Sequence, residues 1–369
     1  MKIIQVVPLF GMGGAEVMCE NLIYELRKRG HEIIVISMYD YHSVITERLE
    51  QADIDIRYLN KKSGLDVSVI GKMWKIFSKE KADVVHTHLY CTKYAMPAAL
   101  LAGINSRVHT IHTVARKELG AASRKFNWFL FKFCRVVPVA LSSAVQETII
   151  SEYDLPPKEV PVVYNGVDLS RCRPKESYCV NGTFKIVHTG RFCEPKNHCG
   201  LLNAFRIFHE KHPDSELWLI GDGDGRPDAE LFVQNNALKS AVKFLGCQSD
   251  VFQYLHQADI FTLPSNYEGM PLALIEAMGT GLPIVATNVG GIPDMLDAES
   301  SLMVPVNTDA IAAAFEQYYE DSKLRQQHGK RAKECSHKFG AAIMAESYER
   351  IYLRSTNQEG KNEECSTNK

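Results

Sequence analysis

Two glutamates stand in a stretch of the chain that is otherwise almost entirely apolar. The stretch "EGMPLALIEAMGTG", residues 268–281, holds Glu268 and Glu276 with seven residues between them. Pro271 is typical of a helix start and Gly279 of a helix end, which predicts a short, buried helix carrying Glu276. Because a buried carboxylate needs partners, Glu276 is expected to bind ligand hydroxyls, such as those of a ribose, or to pair with a structural Arg or Lys.

Glu268 precedes this helix, in a loop whose backbone can bind a ligand. The first N–H groups of a helix have no acceptor within the helix. The amides of Gly269, Met270 and Leu272 are therefore expected to point outward, where they could bind an anion or sugar hydroxyls.

Two cations lie close together in the loop "TGRFCEPKNH", residues 189–198. Arg191 offers a planar fork of N–H donors and Lys196 offers a point charge, so both could hold a diphosphate. In that role they would stabilise the negative charge that develops on a leaving phosphate. The alternative is that both cations are simply solvated, as most loop cations are.

A glycine-rich loop, "GMGGAE", follows the first apolar run of the chain. Gly13 and Gly14 would let the backbone approach a phosphate or a substrate closely. Glu16 stands where a dinucleotide-binding fingerprint has its third glycine, although Asp40 follows the second strand, where that fingerprint expects an acid. NAD binding is therefore an alternative with an incomplete motif.

Several histidines lie at the ends of predicted strands. "HTIHT" contains His109 and His112, and "VVHTH" contains His86 and His88 as weaker candidates. A histidine at a strand end is more often a packing residue than a catalytic one. The residue types alone do not select one of the four.

The stretch "GDGDG" contains a pair of aspartates, Asp222 and Asp224, that could hold a metal ion beside a diphosphate. Carboxylates at this spacing are weak evidence for a metal, because glycine-rich turns favour aspartate for conformational reasons. We expect no metal and no cofactor. The loop after "FLG", at Gly246 and Cys247, is a candidate contact for a nucleotide base through its backbone.

Two series of alternating strands and helices position these motifs. The first begins with strand, glycine-rich loop, helix and strand, a βαβ unit of a parallel sheet. The second begins at "FKIVHTGR", and a segment of turn residues over 165–182 joins the two. Two doubly wound Rossmann-like α/β domains that face each other across a cleft are therefore predicted. Each motif follows a strand, where open parallel sheets bind ligands.

The domain boundaries follow from this pattern. We expect a first Rossmann-like domain over 1–170, a second over 171–338, a helix over 339–355 that could pack back on the first domain, and a loose tail over 356–369. "VPVVYNG" is one of the runs interpreted as a strand.

Length and composition set further limits. The 369 residues suit two domains, and a net charge of −2 gives no general attraction to nucleic acid. The sequence contains no run of 18 apolar residues, so we expect no transmembrane helix. Ten scattered cysteines without a C-x-x-C pair are typical of reduced thiols in the cytosol.

The ordered set of motifs resembles the family-four retaining glycosyltransferases, which have the GT-B fold. "EGMPLALIE" matches the E-x7-E signature of that family. The other landmarks occur in the family's order, and the resemblance covers nearly the whole chain: "GGAE", "HTIH", "NGVD", "GRFCEPKN", "LIGDGDG", "FLG" and "PSNYEG".

This resemblance implies roles for the candidate residues. It places Glu268 near the reacting carbon of the donor sugar, Glu276 on the ribose, and Arg191 with Lys196 on the diphosphate. It also places His112 close to the donor sugar, where we expect it to position or polarise the substrate. The remaining donor contacts that it implies or allows are Gly13, Gly14, Gly246, Cys247, Gly269, Met270 and Leu272.

The implied reaction moves a sugar from a nucleotide diphosphate donor, with uridine expected, to a hydroxyl of a glycan or lipid-linked glycan. The segment 115–135 carries six Lys or Arg residues and one Glu around an aromatic core, which makes it a candidate contact with a membrane surface. The alternative is a core helix with solvated flanks. We expect the protein in the cytoplasm, either free or peripheral on the inner face of the membrane.

Three other functions remain open at this level. A nucleotide-sugar epimerase shares the GT-B architecture but uses no acceptor. A non-catalytic nucleotide-sugar-binding protein would have little reason to keep Glu268, Glu276, Arg191, Lys196 and His112 together. An NAD-dependent oxidoreductase would need the complete glycine fingerprint.

Overall fold

The chain folds into two compact units, seen in a computed structural model that describes residues 1–180 and 182–357. The first unit contains Met1–Gly166 together with the chain from Ala341 onward, and the second contains Val167–Gly340. Each unit holds one six-stranded parallel sheet with helices between its strands. The predicted α/β class is confirmed.

The sheet of the first unit has the order β3-β2-β1-β4-β5-β6. Its strands are β1 Lys2–Val7, β2 Glu32–Ser37, β3 Asp55–Tyr58, β4 Val84–His88, β5 Ser106–Ile111 and β6 Val136–Ala140. The order reverses direction between β1 and β4, and such a switch point is where open parallel sheets bind ligands.

The helices of the first unit are mostly the connections between these strands. They are α1 Gly14–Lys28, α2 Val44–Gln51, α3 Ser68–Glu80, α4 Thr92–Leu101, α5 Ala115–Glu118, α6 Ala121–Phe133 and α7 Ser143–Tyr153. Helix α1 has Glu16 in its first turn and Arg27 and Lys28 in its last, the charge order that favours the helix dipole. Gly30, at φ +86°, turns the chain toward β2.

The last helix, α14 Ala341–Asn357, packs on α1 and β5 and so belongs to the first unit. Its Tyr348 and Tyr352 are fully buried. The helix begins two residues later than expected, because Phe339 lies in a preceding 3-10 turn. The helix also includes residues 356 and 357, the first two of the predicted tail over 356–369, and the rest of that tail lies outside the described residues.

The sheet of the second unit has the order β12-β11-β10-β7-β8-β9, with its switch point between β7 and β10. Its strands are β7 Phe184–Thr189, β8 Ser215–Ile220, β9 Val242–Gly246, β10 Ile260–Leu263, β11 Ile284–Thr287 and β12 Leu302–Val304. Its helices are α8 His198–Lys211, α9 Arg226–Asn235, α10 Phe252–Gln257, α11 Leu272–Gly279, α12 Thr308–Glu320 and α13 Ser322–Ser336. Phe184, Phe205 and Phe315 form part of its core.

One strand prediction is wrong. The run "VPVVYNG" makes only an isolated bridge, in which Ala140 pairs with Val162. The Ala140 N–H donates to the Pro161 carbonyl at 3.0 Å, and the Val163 N–H donates back to Ala140 at 2.9 Å. Pro161 itself has no N–H to extend the ladder, so the pairing ends after one bridge.

Within residues 1–180 and 182–357, no helix is both long enough and apolar enough to cross a lipid bilayer.

Candidate active site

The centre of the second unit's site is an ion pair between Lys196 and Glu268. Lys196 lies in the loop after β7, and Glu268 lies in the loop after β10, on the two sides of the switch point. The Lys196 Nζ is 2.6 Å from Oε1 of Glu268, and the Ser265 hydroxyl donates to the same oxygen at 2.5 Å. The side chains of Lys196 and Glu268 are only 19% and 9% exposed, so the carboxylate is held firmly in one orientation.

The second oxygen of this carboxylate has a different environment. No described residue donates a hydrogen bond to Oε2 of Glu268. One oxygen is therefore neutralised by the protein, while the other remains able to accept a hydrogen bond from a ligand.

The loop that carries Glu268 is anchored from the neighbouring strand β11. The Gly291 N–H donates to the Glu268 carbonyl at 3.0 Å, and the Thr287 hydroxyl donates to the Ser265 carbonyl at 2.6 Å. Gly290 has φ +54°, and a Cβ at this position would lie 1.9 Å from the Glu268 carbonyl oxygen. The position therefore requires glycine, and sequence reasoning passed over it although the double glycine of "NVGG" was visible.

The loop that carries Lys196 packs backbone to backbone against the loop after β8. Gly221, at φ +133°, lies so close to Gly190 that a Cβ would be 2.1 Å from the Gly190 carbonyl oxygen. Gly223, at φ +151°, is similarly close to the Phe192 carbonyl, at 2.6 Å. The glycines of "GDGDG" therefore serve close approach between two loops that follow neighbouring strands.

The first aspartate of the same motif has local partners. Asp222 accepts a hydrogen bond from the Gly223 N–H at 2.8 Å and pairs with Arg226 at 3.3 Å. Among the described residues, no group of three His, Cys, Asp or Glu side chains is placed to hold a metal ion.

Arg191 is exposed and forms no ion pair with any described residue. Its side chain passes beside Gly223, where a Cβ would lie 3.0 Å from the Arg191 Cγ. Since Lys196 is already paired, Arg191 is the uncompensated cation of this loop.

Helix α11 starts at Leu272, with Pro271 as the preceding cap residue rather than as the first helical residue. The loop amides of Gly269 and Met270 precede this N-terminus, which carries the positive end of the helix dipole. Met270 and Leu272 have buried side chains, as the apolar sequence predicts.

Glu276 is partly exposed on α11, and its carboxylate accepts no hydrogen bond from a described residue. Burial raises its pKa to about 7, an effect that Arg171 opposes and Asp250 reinforces. Arg171 forms its own ion pair with Asp250, at 3.7 Å, and lies over the ring of Phe252. The structural pairing considered for Glu276 is therefore not formed.

The loop after β9 lies beside the glycine-rich loop that follows β8. Gly246 has φ +68°, and its carbonyl accepts a hydrogen bond from the Gly221 N–H at 2.8 Å. Cys247 is exposed. Contact of Gly246 and Cys247 with a nucleotide base stays a prediction.

The first unit holds the other predicted residues. Gly13 caps α1 and Gly14 opens it, and a Cβ on Gly14 would meet no atom within 4 Å. Packing within the protein therefore does not require glycine at position 14.

His112 follows β5 directly and is partly exposed. Its Nε2 lies 3.1 Å from the His88 Nδ1, and its backbone N–H donates to Glu118 at 3.1 Å. Burial, with a smaller contribution from His109, lowers the pKa of His112 to about 3, so its ring is neutral at physiological pH. Burial raises the pKa of Glu118 to about 8. Sequence reasoning missed Glu118, which looked like the one acid of a basic segment.

His109 is a core residue. It is fully buried, and its Nδ1 lies 2.9 Å from the hydroxyls of both Thr87 and Thr92. His86 is fully buried as well and hydrogen-bonds to Thr110 at 2.8 Å.

Comparison with known proteins gives consistent matches in both units. Residues 12–171 match the family described as Glycosyltransferase Family 4, and residues 183–321 match Glycosyl transferases group 1. The chain is 33% identical over 244 residues to an Escherichia coli UDP-Gal:alpha-D-GlcNAc-diphosphoundecaprenol alpha-1,3-galactosyltransferase, an alignment that covers 61% of the chain and 63% of that relative. It is 29% identical over 371 residues to N-acetyl-alpha-D-glucosaminyl L-malate synthase of Bacillus anthracis, covering 92% of the chain and 94% of the relative.

Solved structures share the fold. Anabaena HepE, crystallised with UDP and glucose, superposes with a TM-score of 0.83 at 20% identity, covering 95% of the chain and 98% of that structure. A glycosyltransferase from Rickettsia africae gives a TM-score of 0.81 at 20% identity, over 96% and 98%. These likenesses confirm the predicted GT-B fold.

Proposed function

The chain belongs to the family-four glycosyltransferases, and we propose that it transfers a sugar from a uridine diphosphate donor to a hydroxyl of a glycan or lipid-linked glycan. The observation that carries the proposal is the Lys196–Glu268 pair at the switch point of a parallel sheet, beside the N-terminus of α11. Two comparisons support the donor class. The Escherichia coli relative is named for UDP-Gal, and HepE was crystallised with UDP-glucose.

In this proposal the second unit binds the donor. Arg191 and Lys196 hold the diphosphate, with the amides of Gly269 and Leu272 at the helix N-terminus as further donors. The carboxylate of Glu276, which has no hydrogen-bond donor within residues 1–180 and 182–357, accepts hydrogen bonds from the ribose hydroxyls.

Glu268 acts in this proposal by electrostatics rather than as a nucleophile. Its Oε1 already receives the Lys196 ammonium and the Ser265 hydroxyl, and both contacts reduce the nucleophilicity of a carboxylate. The bond between the sugar carbon and the phosphate oxygen breaks as the acceptor oxygen attacks the same face. The acceptor proton passes to the leaving diphosphate, and the configuration at the sugar carbon is retained. Oε2 of Glu268 stabilises the positive charge that develops on the sugar.

Donor binding is tested by thermal shift with UDP-, GDP- and ADP-sugars, with NAD as the control nucleotide. A ligand at about 100 times its Kd adds roughly 2.7 kcal/mol to the stability of the native state. We expect a UDP-sugar to raise the melting midpoint of the wild type, and Glu276→Gln to reduce the rise. Glu299→Gln, an exposed glutamate of the same unit, is the matched control. A shift with NAD alone would contradict the proposal.

Product analysis separates transfer from epimerisation. A transferase converts the donor to UDP only when an acceptor is present, whereas an epimerase converts one nucleotide sugar to another without an acceptor. Appearance of an epimerised nucleotide sugar in the absence of acceptor would favour the alternative function.

We also propose that the first unit contacts an anionic membrane surface through one face of α6. This face consists of five exposed residues at helical spacing: Lys125, Trp128, Phe129, Lys132 and Phe133. Their opposite neighbours, Asn127, Leu130 and Phe131, are buried, so the aromatic side chains are not needed for the core. The three exposed aromatics are 39%, 47% and 63% accessible, and Lys132 lies over the Trp128 ring at 5.8 Å.

Aromatic rings beside lysines suit the boundary between headgroups and acyl chains. A lipid-linked acceptor, of the kind named for the Escherichia coli relative, would be presented at such a surface. Among the described cysteines all are free thiols, which accords with a cytoplasmic position at the inner face.

Sedimentation with lipid vesicles tests this contact. We expect the wild type to bind vesicles that contain phosphatidylglycerol more strongly than vesicles of phosphatidylcholine alone. Trp128→Ser/Phe133→Ser should lose this binding while it keeps transfer to a water-soluble acceptor. Leu231→Ser, which removes an exposed apolar side chain of the second unit, is the control. If the Trp128→Ser/Phe133→Ser variant binds the phosphatidylglycerol vesicles as strongly as Leu231→Ser does, the α6 contact is refuted.

A further inference from the structure

A continuous chain of hydrogen-bonded side chains runs through the core of the first unit and ends at His112. Its members, in order, are Tyr348, Thr110, His86, Tyr352, Gln5, His88 and His112. The first six are at most 1% exposed, and only His112 reaches solvent. The chain connects α14 to the central strands β1, β4 and β5.

The distances along this chain identify each contact. The Tyr348 hydroxyl lies 2.7 Å from the Thr110 hydroxyl, and the Thr110 hydroxyl lies 2.8 Å from the His86 Nε2. The His86 Nδ1 lies 2.8 Å from the Tyr352 hydroxyl. The same hydroxyl oxygen accepts a hydrogen bond from the Gln5 Nε2 at 3.5 Å.

The chain then continues to His112. The Gln5 Oε1 lies 3.0 Å from the His88 Nε2, and the His88 Nδ1 lies 3.1 Å from the His112 Nε2. A fully satisfied network of this kind orients its members, because any member that turned away would leave a buried polar atom without a partner.

The protonation of His88 follows from its position in this chain. Burial lowers the pKa of His86 and His88 well below the usual value, so both imidazoles are neutral and each carries one proton. A carbonyl oxygen can only accept, so the His88 Nε2 that faces the Gln5 Oε1 must hold the proton. The His88 Nδ1 is then an acceptor, and the proton between the two rings belongs to the His112 Nε2.

The Gln5 amide could also be turned over with every contact kept. Its nitrogen would then donate to the His88 Nε2, and the donors between Gln5 and His112 would reverse. His112 would then carry its proton on Nδ1. The orientation of the Gln5 amide, deep in β1, therefore determines whether the outer nitrogen of His112 is an acceptor or a donor.

We propose that Gln5 and His88 are positioning residues that hold His112 with its proton on Nε2, so that its Nδ1 accepts a hydrogen bond from a hydroxyl of the sugar substrate. No described residue bonds to the His112 Nδ1, and the ring is partly exposed. The hydrogen bond from the His112 N–H to Glu118 holds the backbone in place. This inference rests on the proposed function for its ligand, but its tautomer assignment does not.

The acceptor character of Nδ1 specifies the ligand chemistry. A lone pair binds a hydroxyl or an amine hydrogen, whereas a phosphate oxygen or a carbonyl would need an N–H at that position. His112 is thereby assigned to a sugar hydroxyl and not to the diphosphate.

The tautomer can be measured directly by long-range 15N–1H correlation on protein labelled at histidine. His112→Gln identifies the His112 signals by their disappearance. We expect a pyrrole-type Nε2 and a pyridine-type Nδ1 for His112 in the wild type. The reverse pattern would overturn the proposal, whether or not the protein is a glycosyltransferase.

Substitutions at Gln5 test the positioning role. Gln5→Glu keeps an acceptor facing His88 and should keep the His112 tautomer, while Gln5→Leu removes the acceptor and should produce a mixture. Thr92→Val, which removes a buried hydroxyl from His109 outside the chain, is the matched control. We expect kcat/KM to fall roughly tenfold in Gln5→Leu, the loss of about one hydrogen bond, and to change little in Gln5→Glu and Thr92→Val. An unmixed His112 tautomer in a folded Gln5→Leu variant would refute the role of Gln5.

Discussion

Breaking the Lys196–Glu268 pair should leave a carboxylate unpaired in a nearly closed site. Lys196→Met keeps much of the volume of the lysine side chain but removes its ammonium group. The Ser265 hydroxyl remains as the one described side-chain donor to Glu268. The charge on Glu268 then lacks its counterion while the side chain is still only 9% exposed.

The size of the effect follows from burial. Removing one partner of a buried ion pair costs about 3–5 kcal/mol. We expect about 3 kcal/mol here, since Ser265 continues to donate and no residue in the described part of the chain donates to the Oε2 atom of Glu268. In a unit of this size 1 kcal/mol changes the melting midpoint by about 2–4 °C, so Lys196→Met should lower it by about 6–12 °C.

Differential scanning calorimetry of the full chain is the assay, with the transition of the second unit as its readout. Lys211→Met is the control, because Lys211 is 64% exposed in its pair with Glu316, and surface pairs contribute about 0–1 kcal/mol. Lys196→Met/Glu268→Leu should recover at least half of the loss, since an apolar pair leaves no buried charge. If Lys196→Met lowers the midpoint no more than Lys211→Met does, the pair is solvated and the reasoning is wrong.

The remaining predictions concern single substitutions at Gly290, Gly14, Glu276 and Arg191. Gly290→Ala should displace the Glu268 loop and abolish donor binding, because its Cβ would lie 1.9 Å from the Glu268 carbonyl oxygen. Gly14→Ala, whose Cβ would meet no atom within 4 Å, should keep the melting midpoint and lose only ligand affinity. Thermal shift with and without donor measures both variants. Since burial raises the Glu276 pKa to about 7, the carboxylate becomes charged as pH rises through 7, so donor affinity should increase over pH 6–8 and stay flat in Glu276→Gln; calorimetric titration checks this. Because charging a buried acid also opposes folding, Glu276→Gln should exceed the wild type in stability above pH 7 and match it near pH 4. Arg191→Met should slow transfer at least tenfold without lowering the melting midpoint, as Arg191 is exposed and has no ion pair within the described chain; a destabilised variant would contradict this.

Local features of the sequence were sufficient for the architecture. Short runs rich in Ile and Val predict buried strands, as for β1 and β2. The helix between these strands has apolar residues at three- and four-residue spacing. Gly30 and Pro271 mark helix boundaries to within about one residue because their backbone preferences are local. The alternation of these elements determined the fold class.

Local pattern could not predict which motifs meet. Lys196 and Glu268 are 72 residues apart, and they pair because β7 and β10 are neighbours at the switch point of the sheet. Gly290 joins them because β11 lies beside β10. The order of strands in a sheet depends on the path of the crossover connections, and the sequence of a strand does not determine which strands lie beside it.

The environment of His112 depends on tertiary structure still more strongly. By itself the sequence determined a histidine at the end of a strand, with His88 as a weaker candidate at the end of another strand and Gln5 as an unremarked member of a third. Only the packed sheet, with α14 returning from the end of the chain, brings Tyr352, Gln5 and His88 into one hydrogen-bonded line. The proton position on His112 is therefore a property of the fold, because a neutral imidazole takes its tautomer from the partner it contacts.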